Sequence, residues 1–234
     1  MRRYYRFRAT RFYGGCVTGD VVGCNLRCKF CWSRRYVLNC MEGRFYKPGE
    51  AWGVLEKLLV KTGYSKVRLS GGEPTIGFNH LLKLLEYNEE FGKSLFIIET
   101  NGILIGARRE YARELSRYSN IHVRVSIKAC SRELFNKLTG AIGSALDLQV
   151  KALGNLADYG VSHHPAIVSS FGGRECFRRL LEMIREVDPE SLLNVEEEII
   201  VLYPRVRREL EKAGLKPRIA WDPRYKKLIS EPWE

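Results

Sequence analysis

Three cysteines on one short stretch of the chain have the spacing of a metal-cluster site. Cys24, Cys28 and Cys31 occur in the run Cys-Asn-Leu-Arg-Cys-Lys-Phe-Cys. Three thiolates on one loop can bind three corners of a [4Fe–4S] cube, whereas clusters that only transfer electrons carry a thiolate on every iron. The spacing therefore predicts a cluster whose fourth iron is open for chemistry.

Other uses of these cysteines fit the sequence less well. A structural zinc site takes four ligands, usually from two Cys pairs or from a Cys pair and a His pair. The chain has neither a second Cys-x-x-Cys nor a His-x-x-x-His. A disulfide framework is not indicated either, because the total of seven cysteines is odd and the chain start has no apolar segment like that of a secretory leader.

The four cysteines outside this run have no ligand spacing of their own. A second cluster would need ligands from widely separated loops, so we expect buried free thiols. Cys130 directly follows a predicted strand and is the candidate for a catalytic thiol. The full set is Cys16, Cys40, Cys130 and Cys176.

Length, hydropathy and charge limit the class of protein. A chain of 234 residues with 45% hydrophobic residues is long enough for one sizeable core. No apolar run approaches the roughly 18 residues that a membrane span needs, so we expect a cytoplasmic protein without a membrane partner. The net charge of +12 attracts polyanions, although solvated faces of amphipathic helices are the favoured explanation.

The N-terminal segment 2–13 alternates five arginines with aromatic residues. Aromatic rings beside cations can bind single-stranded RNA. The same alternation is typical of an edge strand, which is the interpretation that we favour.

Short β-branched runs alternate with longer helical patterns over most of the chain, which predicts βαβ units and a parallel sheet. The predicted strands are Val17–Val22, Lys66–Ser70, Leu95–Glu99, His122–Ile127, Val161–Ser169 and Leu192–Val195. The predicted helices are Glu50–Leu59, Phe78–Phe91, Ala107–Ser119, Ala145–Tyr159 and Phe177–Glu186. We therefore expect an α/β fold of the partial (β/α)6 TIM-like barrel type. It forms a single domain over residues 1–234, with the core at about 17–200 and a C-terminal helix and tail at 201–234.

Three conspicuous loops follow the first three predicted strands. The first is the cysteine run, the second is Gly71-Gly72-Glu73-Pro74 and the third is Thr100-Asn101-Gly102. In parallel α/β folds, ligands bind where the strands end and the loops begin. We therefore expect the three loops to meet at one site.

Together these loops resemble the radical S-adenosylmethionine (SAM) superfamily. The cysteine run matches that family's CxxxCxΦC signature with Phe30 as the aromatic residue, and the other two loops match its GGEP and TNG motifs. The resemblance implies a [4Fe–4S] cluster held by Cys24, Cys28 and Cys31. It also implies that SAM chelates the open iron and is cleaved to a 5′-deoxyadenosyl radical, which abstracts hydrogen. The residues that it places around SAM are Phe30, Gly71, Gly72, Glu73, Pro74, Thr100 and Asn101.

The fourth predicted strand resembles that of the activating enzymes of glycyl-radical enzymes, in which an Asp-x-Lys pair holds SAM. Ser126 and Lys128 occupy the matching positions and lie on one face of a strand. On the fifth strand, alternation sends one of His163 and His164 inward and the other outward. The inward histidine is either a structural residue or a group for proton transfer or SAM contact.

The resemblance implies the cofactors more sharply than the substrate. Our first hypothesis is an activase-like enzyme that takes hydrogen from a protein or peptide, with a flavodoxin- or ferredoxin-like electron donor. The alternative is an RNA-modifying enzyme, because the net charge is positive and Phe30-Cys31-Trp32 resembles the cysteine loop of wybutosine-pathway enzymes. A non-enzymatic iron–sulfur or zinc protein is the remote alternative. Oligomeric state is not encoded in a recognisable pattern.

Overall fold

The computed structural model describes residues 1–230 of the chain. Its strands are β1 (Arg2–Thr10), β2 (Cys16–Val21), β3 (Arg44–Tyr46), β4 (Lys66–Gly71), β5 (Leu95–Thr100), β6 (Ile121–Ile127), β7 (His163–Val168), β8 (Glu196–Glu198), β9 (Ile200–Val201), β10 (Ile219–Asp222) and β11 (Lys227–Ser230). Its α-helices are α1 (Arg34–Leu38), α2 (Pro48–Thr62), α3 (Phe78–Tyr87), α4 (Ile103–Ala107), α5 (Arg109–Leu115), α6 (Arg132–Thr139), α7 (Ala145–Asp158), α8 (Arg174–Val187) and α9 (Pro204–Lys212).

Eight strands form one sheet in the order β3-β1-β2-β4-β5-β6-β7-β8. From β2 to β8 all neighbours are parallel, whereas β1 is antiparallel to both β2 and β3. Helices separate the parallel strands along the chain, because a parallel connection has to cross over the sheet. The six parallel strands confirm the predicted partial (β/α)6 TIM-like barrel.

The two faces of the sheet differ in polarity. The helix-facing side carries apolar residues such as Val67, Phe96 and Val123, which pack in one core with helix residues such as Leu55 and Leu153. The opposite face, which we call the inner face, carries polar side chains at paired positions of neighbouring strands: Asp20 with Ser70 and Glu99 with Arg124. A closed (β/α)8 barrel fills its interior mainly with branched apolar residues, so the polar inner face marks this surface as a place for ligands.

The sixth parallel strand was predicted at the wrong residues. The stretch Pro189–Asn194 forms a 3-10 helix, and the strand is β8. Asp188 starts the helical turn because its side chain accepts the main-chain N–H of Ser191 at 3.3 Å. Three consecutive glutamates have little strand propensity of their own. They form a strand here because Glu196 and Glu198 find cationic partners on the inner face.

Two other elements differ from the sequence-based expectation. The helix predicted at Ala107–Ser119 is divided into α4 and α5, because Arg108 between them has an extended backbone. The N-terminal segment is a strand, as favoured, but β1 lies between β3 and β2 instead of at the edge. β3 covers only the first residues of β1, from Arg2 to Tyr4.

The last part of the described chain adds a small sheet of order β11-β10-β9. Apolar residues of this sheet, of α9 and of the link between β9 and α9 belong to the same hydrophobic core as the barrel: Ile200, Leu202, Val206, Leu210 and Ala220. The sequence predicted only a helix and a tail here, because such short strands depend on pairing with distant partners. Among residues 1–230, none of the helices has the length and hydropathy to cross a membrane.

Candidate active site

The three cysteines of the run lie on the loop between β2 and α1. Cys28 is buried, while Cys24 and Cys31 are half-buried, and none of them is in a disulfide. The loop is anchored on the C-terminal end of α6, where the main-chain N–H of Arg27 donates to Thr139 O at 2.9 Å and that of Lys29 to Leu138 O at 2.8 Å. The cysteines are thus presented by a fixed backbone.

The surroundings of the sulfurs fit a metal cluster. Burial raises the pKa of Cys24 to about 12, with a further contribution from the Glu73 charge, and burial also raises the pKa of Cys28. A coordinating metal deprotonates such a thiol outright, so a raised pKa does not prevent these sulfurs from binding iron. The Cys24 sulfur also accepts the N–H of Leu26 at 3.4 Å, and hydrogen bonds to sulfur are one of the means by which proteins tune iron–sulfur clusters.

No three His, Cys, Asp or Glu side chains within residues 1–230 are close enough to share one metal ion. This spacing is compatible with a cube, since each cysteine binds a different iron.

The Gly71-Gly72 turn packs directly on the cysteine loop. A Cβ on Gly72 would lie 2.2 Å from the carbonyl oxygen of Gly23, and Gly71 has a left-handed backbone with φ of 89°. The N–H of Gly72 donates to Val21 O at 2.8 Å, and the Ser33 hydroxyl donates to Gly71 O at 2.6 Å. The glycines are therefore required for the contact between the two loops.

Glu73 is almost completely buried and joins the second loop to the third. One carboxylate oxygen accepts hydrogen bonds from the Thr75 main-chain N–H, the Thr75 hydroxyl and the Thr100 hydroxyl, and the other accepts the N–H of Asn101 at 2.7 Å. Pro74 is buried and starts the short 3-10 turn that follows. Glu73, Pro74 and Thr100 thus shape the loops at this site.

Asn101 connects the third loop with the cysteine loop on one side and with Gln149 of α7 on the other. Its side-chain amide donates to Asn25 Oδ1 at 2.7 Å and lies 3.6 Å from the Cys24 sulfur. Its carbonyl oxygen accepts a hydrogen bond from Gln149 Nε2 at 2.6 Å. Gln149, a fully buried residue of α7, was not predicted from the sequence; its signal is a polar side chain among the mostly apolar buried residues of that helix.

The predicted pair, Ser126 on β6 and Lys128 directly after it, is joined by a carboxylate that was not predicted from the sequence. Lys128 Nζ donates to the Ser126 hydroxyl, which donates to Glu198 Oε2 at 2.8 Å, and Lys128 Nζ lies 3.8 Å from that oxygen. Burial alone would raise the pKa of Glu198, but the charges of Lys128 and Arg124 outweigh it and lower the pKa. Glu198 on β8 thus supplies the acid next to the position where the family pattern has one and this chain has Ser126.

Phe30 lies on the same side of the barrel, with its ring centre 6.1 Å from that of Phe171. Close to Phe171, Cys130 and Cys176 form a disulfide. The expectation of free thiols at these two positions is therefore wrong, because the start of α8 lies directly against the loop after β6. A disulfide sulfur carries no thiol hydrogen, so we do not extend the catalytic hypothesis for Cys130. Cys16 is a buried free thiol, as expected, whereas Cys40 is free but exposed.

The two histidines of β7 point to opposite faces, as the alternation predicts. Nδ1 of His163 lies 2.6 Å from the acceptor Val161 O, and Nε2 lies 2.8 Å from the acceptor Asp188 Oδ2. His164 faces inward, 3.0 Å from Glu196 Oε2 and 2.6 Å from the His122 ring. Both ring nitrogens of each histidine have a protein partner. This supports a structural role for the inward histidine, His164.

Comparison with known proteins agrees with this arrangement. Residues 20–195 match the family model of the Radical SAM superfamily. The chain belongs to that superfamily. It is therefore an enzyme whose cofactors are a [4Fe–4S] cluster and S-adenosylmethionine.

The curated relatives are longer proteins. A probable GTP 3′,8-cyclase of Methanopyrus kandleri is 30% identical over 116 residues, which are 50% of this chain and 34% of the relative. A probable GTP 3′,8-cyclase of Methanosarcina acetivorans is 29% identical over 160 residues, 64% of this chain and 45% of the relative. The chain thus spans less than half the length of these two relatives, and neither is named as an activating enzyme.

Solved structures share the fold. Streptococcus suis SuiB bound to the precursor peptide SuiA is 25% identical with a TM-score of 0.56, over 70% of this chain and 35% of that one. A mutant spore photoproduct lyase with bound AdoMet and a dinucleoside spore photoproduct is 15% identical with a TM-score of 0.65. The match covers 94% of this chain and 69% of that one. At 15% identity the likeness concerns the fold alone.

Proposed function

We propose that this radical SAM enzyme abstracts a hydrogen atom from a polar substrate bound on the inner face of the partial barrel, and that a protein or peptide segment is this substrate. The inner face carries the proposal. Its charged side chains are held in fixed positions, for example Glu99 by the hydroxyls of Ser70 and Tyr13 at 2.6 and 2.7 Å. Such a preorganised polar surface suits a substrate with several polar groups, because little reorganisation is needed on binding.

When bound, the cluster and SAM supply a 5′-deoxyadenosyl radical through one-electron cleavage, with a flavodoxin- or ferredoxin-like protein of the cytoplasm as the proposed donor. The chain's own residues hold the two cofactors. Cys24, Cys28 and Cys31 hold the cluster, and the Gly71-Gly72 turn lies beside them.

Lys128 supplies a cation for the SAM carboxylate. The neighbouring pair of Ser126 and Glu198 keeps the lysine in place and offers acceptors to the ribose hydroxyls. Phe30 provides an aromatic ring for the adenine. Glu73 and Asn101 position the loops, since most of their hydrogen-bonding groups are already satisfied by protein atoms.

SAM cleavage tests the first part of the proposal. Anaerobically reconstituted protein with dithionite is expected to release methionine and 5′-deoxyadenosine, and to hold about four irons per chain. Replacing Cys24, Cys28 and Cys31 together with Ala removes the cluster and the cleavage. Cys40→Ala is the matched control, because Cys40 is an exposed free cysteine outside the run. A triple variant that retains a full cluster would show that the ligands are other residues.

A second candidate substrate is a nucleotide, because the curated relatives are named as GTP cyclases. Transfer of deuterium from a labelled substrate into 5′-deoxyadenosine distinguishes a peptide substrate from a nucleotide substrate. Deuterium from a labelled peptide supports the first proposal, whereas deuterium from ribose-labelled GTP replaces it with the second.

The RNA-modifying alternative has less support. Arg2 and Arg3 donate hydrogen bonds to main-chain carbonyl oxygens, and Arg6 and Arg8 donate to Asp20, so these four arginines are fixed by contacts within the protein. Salt-sensitive binding of tRNA to the purified protein would restore this alternative.

A further inference from the structure

Two arginines of β1 share a single buried carboxylate. Arg6 pairs with Asp20 and Arg8 with Thr18 in the antiparallel register of β1 and β2. Nε of Arg6 lies 2.8 Å from Asp20 Oδ2, and Nε of Arg8 lies 2.9 Å from the same oxygen. The Asp20 side chain is completely buried, whereas the arginine side chains are 42% and 26% exposed. Asp20 therefore holds two guanidinium groups next to each other at the surface of the inner face.

The way in which these arginines are held leaves part of each group for another acceptor. Their hydrogen bonds to Asp20 use Nε, so the terminal amino groups of Arg6 and Arg8 are not needed for that contact. Two positive charges also face one negative charge. Guanidinium groups in this state are suited to oxyanions, because their planar donors match the oxygens of a phosphate or a carboxylate.

The other inner-face arginines are occupied in a different way. Arg124 forms a two-pronged pair with Glu196, at 2.8 and 2.7 Å, and lies 3.7 Å from a second carboxylate, that of Glu198. Arg68 has almost no exposed surface and pairs with Glu99. In these two cases the carboxylates equal or outnumber the arginine.

The pair also lies beside the proposed cofactor loops. The Arg6 guanidinium carbon is 5.6 Å from the ring centre of Tyr5 and 5.8 Å from that of Trp32. Trp32 directly follows Cys31 and is 49% exposed. The Tyr5 ring is next to Gly71, where a Cβ would lie 2.9 Å from the Tyr5 hydroxyl. A group bound by the two arginines would thus be close to the site of radical formation and next to an exposed aromatic ring.

We propose that Arg6 and Arg8 form a substrate subsite that binds an oxyanion. The inference rests on the proposed function, since it assumes that the substrate occupies the inner face. Phosphate of a nucleotide and carboxylate of a peptide offer the same chemistry to this pair. Asp20 is a positioning residue, because it holds both guanidinium groups through Nε.

Equilibrium dialysis with pyrophosphate and with glutarate tests the subsite. Both probes are used at low ionic strength, since exposed charges are screened by salt. We expect saturable binding of at least one probe. Arg6→Gln combined with Arg8→Gln is expected to weaken it about tenfold or more, because charge-assisted hydrogen bonds are lost. The matched control combines Arg11→Gln with Arg44→Gln, which removes the same charge from two exposed positions and is expected to change the affinity less than about twofold.

A second variant keeps the test valid if loss of both guanidinium groups disturbs folding around Asp20. Arg6→Lys combined with Arg8→Lys retains the charges but not the planar donors, and is expected to weaken binding severalfold. Preference for pyrophosphate supports the subsite with a phosphate group, and preference for glutarate supports it with a carboxylate. Absence of saturable binding, equal loss in the control, or full affinity in the lysine variant would overturn the proposal. Dialysis requires no turnover, so failure of SAM cleavage would count only against the proposed function.

Discussion

The carboxylate of Glu73 accepts the main-chain N–H of Asn101 at 2.7 Å. The two residues are far apart in sequence, on the loops after β4 and β5, and both are buried. Asn101 in turn reaches the cysteine loop through Asn25. A single buried carboxylate therefore helps to fix the relative positions of the three loops that form the candidate site.

Glu73→Gln is expected to destabilise the protein. The carboxylate accepts two main-chain N–H groups, those of Thr75 and Asn101, and an amide has only one oxygen to offer. One buried N–H is then left without a partner, which costs about 1–3 kcal/mol. Urea unfolding measures the change. Glu56→Gln on the exposed side of α2 is the control, and an equal effect in both variants would contradict the role of Glu73.

Asn101→Leu is expected to make the midpoint potential of the reconstituted cluster more negative. The Asn101 amide lies 3.6 Å from the Cys24 sulfur, and a donor there stabilises the more negative, reduced state of a cluster. An EPR-monitored redox titration measures the potential. Asn136→Leu on the exposed side of α6 serves as control. An unchanged potential in the Asn101 variant would show that the amide does not act on the cluster.

Lys128→Ala is expected to weaken SAM binding by about tenfold or more, because a charge-assisted contact of about 1.5–3 kcal/mol is lost. The cluster is expected to remain, since the three cysteines are untouched. Calorimetric titration of SAM into the reconstituted protein measures the affinity. Lys137→Ala, which removes an exposed lysine paired with Glu133, is the control. Wild-type affinity in the Lys128 variant would refute the proposed contact with the SAM carboxylate.

The pair of Arg124 and Glu196 predicts a specific dependence of stability on pH. Hydrogen bonding to Arg124, with a second contribution from His164, lowers the pKa of Glu196 from 4.5 to about 2. A depressed carboxyl pKa stabilises the folded state above the unfolded-state pKa, and this contribution is lost as the pH falls through the folded-state value.

Urea unfolding of wild type and Glu196→Gln between pH 2 and pH 7 measures this contribution. The difference between the two proteins is expected to be constant above about pH 5 and to shrink toward pH 2. A difference that does not change with pH would mean that Glu196 is not linked to folding in this way.

Gly72→Ala and Gly53→Ala are expected to have opposite effects. A Cβ on Gly72 would lie 2.2 Å from Gly23 O, whereas one on Gly53 in α2 meets no atom within 4 Å. The first change forces the cysteine loop and the second loop apart and costs about 1–3 kcal/mol or more. The second stabilises α2 by up to about 1 kcal/mol, since alanine favours a helix. Thermal unfolding compares the two, and a neutral Gly72 variant would contradict the close packing of the loops.

Much of the candidate site could be predicted because its residues are local in sequence. Cys24, Gly71 and Asn101 each lie in a short motif that directly follows a strand with a clear apolar pattern. The carboxyl ends of parallel strands meet at one edge of the sheet. Identifying strands and motifs was therefore enough to predict that the three loops converge, and the hydrogen bonds between Asn101, Asn25 and Cys24 follow from that convergence.

Residues that act across the sheet could not be predicted in this way. Glu198 belongs to β8, yet its partners are Ser126 on β6 and Lys128 directly after that strand, with β7 between β6 and β8. Three glutamates in a row have no periodic signal. The strand that they form depends on the distant cations Arg124 and Lys128. The disulfide between Cys130 and Cys176 could not be predicted for the same reason. The two cysteines are 46 positions apart, and no local pattern relates them.

By itself, the sequence determined the superfamily, the cofactors and the partial barrel, because each rests on patterns within a few residues or on the alternation of strands and helices. Only the tertiary structure decided which side chains share a surface. Asp20 is the charged residue of the buried strand β2, and its significance appears only when the antiparallel register of β1 places Arg6 and Arg8 beside it. Contacts of this kind depend on the register and twist of the whole sheet, which no single stretch of the chain encodes.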